Sequence, residues 1–292
     1  GYYRHAEPYT PDWPGMPDFQ GRIIHPQTWP EDLDYADKAV VVIGSGATAA
    51  TLIPAMAGTT RHITMLQRSP TFFRTGRNAI ALADELRDLG VDEAWIHEIT
   101  RRRIMRDSDT FPRQTFEDPA AARQVLLDAA RAHLGPDFDI DAHFTPTYRP
   151  WRQRIAFLPD GDLFKAIAAG SASVVTDGIE RFDATGIQLA SGKHLDADII
   201  VTATGFDLSV FGDIAFSVDD RSFDFSESVT YRGLMFTGLP NLAYVFGYFR
   251  HSWTLRADLI CDVVCRPLNQ MQEKGATMVL PTLRDSDAGM AL

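Results

Sequence analysis

Cysteine is nearly missing from this 292-residue chain, which has two, Cys261 and Cys265. Two thiols cannot build a disulfide framework, so a disulfide-stapled secreted scaffold is excluded and reduced thiols in an intracellular protein are expected. They lie four apart in "LICDVVC", on one face of a helix. With no third or fourth ligand nearby in sequence, this predicts core packing rather than metal or redox chemistry. Positive charge is also scarce: 28 Lys and Arg stand against 39 Asp and Glu, a net charge of −11. A nucleic-acid face is therefore excluded, because phosphate binding needs clustered cations. Even the run Arg101 to Arg103 sits between acidic flanks and reads as a solvated helix face. No apolar run approaches the ~20 residues of a membrane span, and the first residues lack a charged-then-apolar leader layout. The expectation is a cytoplasmic protein, with peripheral association at a membrane as the alternative. There is no G-x-S-x-G elbow, no C-x-x-C and no histidine pair at metal-ligand spacing, so no metal site is expected.

Against these absences, 45% of the residues are hydrophobic and 11% aromatic, enough for one large or two ordinary domains with real cores. One unit is locally decisive. The β-branched run Ala39 to Ile43 ends in Gly44-Ser45-Gly46 and turns into the Ala-rich stretch that begins Ala47-Thr48-Ala49. This is G-x-G-x-x-A where a strand gives way to a helix. Gly44 permits the tight turn, Gly46 lets a pyrophosphate approach the backbone, and Ala49 lets helix and strand pack closely. The helix N-terminus presents free N–H groups and the positive dipole end to the phosphates. The bland alternative is a βα turn without function.

The next strand, "HITMLQRSP", bears on which cofactor is bound. Where an NAD-binding unit carries Asp or Glu for the ribose 2′-hydroxyl, this chain has Gln67, Arg68 and Ser69. A carboxylate repels a 2′-phosphate and a guanidinium binds it, so NADP(H) is favoured over NAD(H).

Helical spacing dominates from Arg77 to about Gly135, with Gly90 and Gly135-Pro136 as stops. Strands resume at "ASVVT" and continue through "IERFDATGIQLASGKHLDADIIVTATGF", where Ser191-Gly192 can close a hairpin. A last helix is predicted from about Trp253, kinked or broken by Pro267.

One string resists explanation by burial. "FQGRIIHPQTWP" gathers Phe19, Gly21, His25, Trp29 and Pro30 without helical or strand periodicity. F-x-G-x-x-x-H-x-x-x-W-P resembles the fingerprint of flavin-dependent Baeyer–Villiger monooxygenases, and it precedes the glycine turn as in that family. Trp29 is similar to the Baeyer–Villiger branch rather than to the related N- and S-oxygenases. "TATGF", Thr202 to Phe206, resembles the family's A-T-G motif and brings in Thr204 and Gly205 as cofactor-binding candidates. "PDGDLF" and "SWTLRADL" are similar to family segments, and the similarity runs along nearly the whole chain.

The resemblance implies an α/β fold: a Rossmann-like NADP-binding domain with a helical insertion, plus the returning part of an incomplete FAD-binding domain. The expected limits are a linker with the fingerprint at 1–37, NADP-binding parts at 38–76 and 151–197, the insertion at 77–150, and the returning part at 198–292. It also implies FAD and NADPH as cofactors. O2 would be activated as a peroxyflavin that attacks a ketone, or a sulfide, thioamide-like or nitrogen centre. His25 would govern domain rotation and closure, and Arg154, in "YRPWRQRIAF", would stabilise the peroxyflavin anion. Two features depart from the pattern. Gln153 stands where many relatives have lysine, which leaves more of the NADPH preference to Arg68. Gly44-Ser45-Gly46 is the only G-x-G, whereas such enzymes need a second for FAD. The chain is therefore expected to be a fragment that binds NADP(H) weakly and holds no FAD, with Ile199 and Val201 exposed on an open sheet edge. The competing readings are an NADP-binding module without turnover, and a flavin disulfide reductase relative, which the lack of C-x-x-C disfavours.

Overall fold

The computed structural model describes residues 3–4, 6–248, 252–287 and 289. Two compact units divide the chain, residues 1–212 and 213–292.

The first unit is built on a five-stranded parallel sheet. Its strands are β1 (Arg22–Ile24), β2 (Ala39–Ile43), β3 (His62–Gln67), β6 (Ala172–Thr176) and β10 (Ile199–Thr202), in the order β1-β10-β2-β3-β6. Helix α1 (Ala47–Met56) joins β2 to β3. Strands buried on both faces read as continuous β-branched runs, and alternate residues must face opposite layers. In β2, Val40 and Val42 enter one core cluster and Val41 and Ile43 the other. In β10, Ile199 and Val201 divide from Ile200 in the same way. The larger cluster lies under α1, α5 (Pro119–Leu134) and α7 (Asp162–Ala168), with Ile53, Leu126 and Phe164 among its members. The smaller is closed by the antiparallel sheet β7 (Ile179–Asp183), β8 (Gly186–Leu189) and β9 (His194–Asp196), through Phe182, Ile187 and Leu189. Gly192, at φ 85°, closes the β8–β9 hairpin, as Ser191-Gly192 suggests.

The returning strand does not behave as the sequence predicts. Ile199 and Val201 are buried, and β10 pairs with β1 on one side and β2 on the other. No boundary falls at 197/198. The strand satisfies its backbone in the same sheet as the glycine turn, and each buried aliphatic side chain contributes ~1.5–3 kcal/mol. The expected linker at 1–37 likewise supplies β1 to this sheet.

Between β4 (Phe73–Gly76) and its parallel partner β5 (Ala156–Pro159) come five helices: α2 (Ala81–Asp88), α3 (Glu93–Asp107), α4 (Thr110–Glu117), α5, and α6 (Ile140–Phe144). Asp92, Asp118 and Asp139 cap α3, α5 and α6 by accepting from Ala94, Ala121 and Ala142 N–H. Arg102, Arg103 and Arg106 pair with Glu98 and Asp107, so the arginine run forms a solvated, ion-paired face.

The second unit contains two small hairpins, β11 (Ser217–Val218) with β12 (Arg221–Ser222) and β13 (Thr230–Tyr231) with β14 (Met235–Phe236), and the helix α8 (Trp253–Lys274). Pro267 does not end α8, which runs on for seven residues to Lys274. Losing one donor and crowding one carbonyl costs about 3 kcal/mol, and the helix carries this. Cys261 and Cys265 are exposed rather than packed. They do share a face, but the helix buries the neighbouring one, with Ile260, Val263 and Val264. No helix among the described residues is long and apolar enough to cross a membrane.

Candidate dinucleotide-binding site

In a parallel sheet every strand ends at the same edge. The carboxyl ends of β1, β10, β2 and β3 therefore bring His25, Ala203 to Gly205, Gly44 to Gly46, and Gln67 to Ser69 to one rim. The chain leaves β2 toward β3 and β6 and returns to β10 on the other side of β2. The topological switch point thus lies between Gly44 and Ala203, where open α/β sheets bind ligands. Gly44 has φ 125°, and a Cβ there would sit 2.3 Å from the Ala203 carbonyl oxygen. Only glycine lets the two strand ends come this close. A Cβ on Gly46 would meet nothing within 4 Å, so the space above it is open to a ligand. Gly46 is also the N-cap of α1, without a side-chain capping bond. The N–H groups of the first turn, from Ala47, Thr48 and Ala49, thus form an anion site at a helix end. Ala49 is fully buried against the sheet.

The residues after β3 divide by role. Gln67, a candidate cofactor ligand by sequence, is 1% exposed. Its amide donates to the His143 carbonyl (2.6 Å) and to Thr176 Oγ1 (2.9 Å). Its side chain is thus engaged in joining β3 to β6 and α6. Arg68 and Ser69 are exposed. Arg154, also exposed, lies just before β5. The parallel register pairs Phe73 with Ala156, so β4, which follows the Arg68 loop, runs beside β5, which follows Arg154.

The fingerprint wraps the sheet edge. Phe19 is buried in the smaller cluster, and Trp29 packs against the larger one on the opposite face. A Cβ on Gly21 would meet the Asp198 carbonyl at 2.3 Å and the Phe19 ring at 2.5 Å, so Gly21 admits β1 beside the start of β10. The Pro30 carbonyl accepts from Leu33 N–H (3.3 Å) and closes the turn after Trp29. His25 is 6% exposed at the end of β1. Its Nδ1 accepts from Gln27 N–H (3.1 Å), which leaves the proton of the neutral ring on Nε2. Nε2 is buried without a hydrogen-bond partner. Burial holds the His25 pKa below its ordinary value, and the Gly205 backbone offsets this in part. The ring meets Phe206 edge-on at 6.1 Å. Thr204 donates to the Tyr9 carbonyl (2.8 Å), and Thr202 donates to the Ile24 carbonyl (3.1 Å), tying the A-T-G segment to β1 and to residues near the start of the chain.

Two further residues carry no signal in the sequence. Thr71 Oγ1 lies 2.7 Å from Ser45 Oγ. Tyr148, six residues before Arg154, has a buried hydroxyl without a hydrogen-bond partner. Only their nearness to Arg68 and Arg154 in the chain could have drawn notice. Among the described residues, no group of three or more His, Cys, Asp or Glu is placed to hold a metal ion.

No protein-family profile matches the chain. It is similar to the FAD-containing monooxygenase EthA of Mycolicibacterium smegmatis, with 45% identity over 285 residues, covering 96% of this chain and 57% of that protein. The probable FAD-binding monooxygenase AlmA of Acinetobacter baylyi is 45% identical over 282 residues, covering 96% of this chain and 56% of AlmA. Among solved structures, an oxidized steroid monooxygenase bound to NADP shares the fold, with TM-score 0.71, 23% identity, and coverage of 97% of this chain and 62% of that one. The chain thus spans little more than half the length of the curated relatives it matches. At this identity, sustained over nearly every residue, it belongs to the same protein family as those FAD-containing monooxygenases.

Proposed function

We propose that this chain carries the NADPH-binding part of a flavin-dependent monooxygenase that transfers one oxygen atom of O2 to a ketone, by Baeyer–Villiger insertion, or to a sulfide, thioamide-like or nitrogen centre. The observation that carries this reading is the switch point between Gly44 and Ala203, with the uncapped N-terminus of α1, the open space over Gly46 and the exposed Arg68 on the same rim. These residues fit a dinucleotide 2′-phosphate: the N–H groups of α1 take the pyrophosphate, Gly46 admits it, and Arg68 pairs with the extra charge. FAD, when bound, supplies the electron transfer from NADPH and the activation of O2. For its pyrophosphate this chain offers no second G-x-G turn. Its contribution toward the flavin is then the Thr204-Gly205 segment, with Arg154 as a fixed positive charge for the anion that develops during oxygen transfer. His25, whose pKa burial holds below its ordinary value and whose ring meets Phe206 edge-on, acts as a positioning residue at the end of β1 rather than as a proton donor to substrate.

The test is coenzyme binding to the chain itself. Arg68→Ala should weaken NADP+ binding about 10–100-fold and leave NAD+ nearly unchanged, since a charge-assisted hydrogen bond contributes ~1.5–3 kcal/mol. Equal loss for both coenzymes would remove the 2′-phosphate role. In a polypeptide of the relatives' full length carrying this sequence, Arg154→Ala should keep NADPH oxidation but lose oxygenated product roughly 100–1,000-fold. Product formation at the unmodified rate would refute that assignment.

A further inference from the structure

All 39 acidic residues of the chain lie outside two stretches, residues 38–83 and 142–159. The fold joins those two stretches, because β4 and β5 pair with Phe73 beside Ala156. This acid-free region carries Arg68, Arg74, Arg149, Arg152 and Arg154, and Arg123 of α5 leans onto it. Among the described residues, none of these six guanidiniums pairs with a carboxylate. Three of them are anchored in another way. Arg74 stands over the Phe111 ring at 5.3 Å, Arg123 over Phe72 at 5.8 Å and Arg149 over Phe116 at 4.2 Å. An ion pair fixes a guanidinium and cancels its charge, whereas an aromatic face fixes it and leaves the charge in place. The outer helices do the opposite: Arg102, Arg103, Arg106 and Arg113 each meet a carboxylate. The carboxylates beside Phe116 in the chain are engaged elsewhere, since Asp118 caps α5 and Glu117 acts on Arg113.

These charges lie close to the glycine turn. Thr71 Oγ1 is 2.7 Å from Ser45 Oγ, which fixes the approach to β4 beside the turn. Arg68 and Arg74 are each three residues from Thr71, and full chain extension limits such Cα separations to about 11 Å. Arg152 and Arg154 precede Ala156, the partner of Phe73, by four and two residues, so their Cα atoms lie within about 14 Å of it. Arg149 follows Tyr148, whose ring meets Phe72 at 5.6 Å, and the same Phe72 ring carries Arg123. These separations are one to two screening lengths at physiological salt, where that length is about 8 Å. The chain as a whole has a net charge of −11 and repels a dinucleotide at long range. We infer that the six arginines form an electrostatic funnel that draws the anionic coenzyme to the glycine turn and sets its association rate. Arg74, Arg123, Arg149 and Arg152 act in it before contact rather than as ligands. This rests on the NADPH-binding reading and adds how the coenzyme is captured against a repulsive net charge. Long-range attraction acts on the encounter, whereas contacts made at its end act on dissociation.

The two rates separate steering from contact, and this gives the test. Association and dissociation of NADP+ and of NAD+ are followed on the 292-residue chain by stopped-flow tryptophan fluorescence, from about 20 to about 500 mM salt. For the unmodified chain the NADP+ association rate should fall about tenfold or more across that range, with little change in dissociation. Arg74→Gln combined with Arg152→Gln should slow NADP+ association about 3–5-fold at low salt and NAD+ association less, and the difference should vanish at high salt. Arg74→Lys combined with Arg152→Lys keeps the charge and should restore the unmodified rate. Arg68→Ala should act chiefly on the dissociation of NADP+. Association that ignores salt while binding persists overturns the inference and leaves the functional reading intact. So does a glutamine variant that changes dissociation alone, which would make these arginines contacts, and so does a failure of lysine to rescue. Should the glutamine double variant not fold, Arg152→Gln alone must slow association at low salt with dissociation unchanged, or the inference fails. No binding of either coenzyme by the unmodified chain overturns the functional reading itself, and this inference with it.

Discussion

The two units of this chain bury their apolar residues very differently. In residues 1–212 a parallel sheet is covered on both faces, and Val42, Ile63, Met65, Ile200 and Val201 are wholly removed from solvent. In residues 213–292 the buried cluster is Leu234, Met235 and Ile260, with Val263, Val264 and Val279 against it, while Leu259, Leu268, Met278 and Leu283 stay exposed. The 22-residue α8 buries one side chain, Ile260. Helix stability in proteins comes mainly from packing an amphipathic face, so α8 has little holding it. Among the described residues, non-glycine positions at positive φ occur in both units but are denser in the second, with Asp213, Asp219, Asp220, Arg232 and Asn241 against Asp37, Trp151, Asp160 and Phe211 in the longer first unit. The lesson is that similarity to a family along nearly the whole chain does not imply uniform stability along it.

Substitutions can break or sharpen this contrast, and the largest effect should come from the first unit. Gly44→Ala puts a methyl group 2.3 Å from the Ala203 carbonyl on a backbone at φ 125°. Strain of ~1–3 kcal/mol adds to the clash, so the melting temperature should drop sharply and coenzyme binding should vanish. Normal melting would mean that the close approach of β2 and β10 is not required. Ile260→Ala should cost ~2–5 kcal/mol of a small reserve. Hydrogen exchange should then show α8 amides unprotected while β2, β3 and β10 keep their protection. A loss of protection spread equally over both units would show that they unfold as one.

Gly46→Ala separates binding from folding. With nothing within 4 Å of the new methyl group, stability should be unchanged, while a pyrophosphate close to the backbone is displaced and affinity falls about tenfold. Unaltered affinity would move the phosphates away from Gly46. The smallest effect is the pH dependence. Burial lowers the pKa of both His25 and His143. The unfolded chain then binds protons that the folded one does not, in the window from about 6.5 down to the lowered folded values. Stability should therefore be full above that window and fall as pH drops through it. His143→Gln should flatten the slope in urea melts, and an unchanged slope would assign it to other groups.

The local geometry of the candidate site was legible because it depends on residues close together in the chain. A strand, two glycines and a small-residue helix start are contiguous, and the strain at Gly44 and the free N–H groups of α1 follow from backbone geometry over a few residues. The position of Arg68 just after β3 was legible for the same reason, since the end of β3 lies one βα unit beyond the glycine turn. The inward turn of the Gln67 side chain was not legible, because sequence proximity to Arg68 does not decide which way a strand residue points. The polar partners of Gln67, Thr176 and His143, are over seventy residues away. The exposure of the cysteines failed similarly: spacing of four fixes a shared face, but not which face the helix buries.

By itself, then, the sequence determined the family, the glycine turn with its helix, the arginine that follows and the fingerprint string, all of which depend on residues close together in the chain. Only the tertiary structure decided that β10 lies between β1 and β2, that Gly21 and Gly44 are required by carbonyls from Asp198 and Ala203, that His25 is buried beside Gly205, and that Thr71 holds Ser45. Each of those facts is a pairing across a long stretch of chain. Parallel strands satisfy their backbone groups with partners that the local pattern does not name, and several strand orders share one hydrophobic pattern until the sheet is assembled.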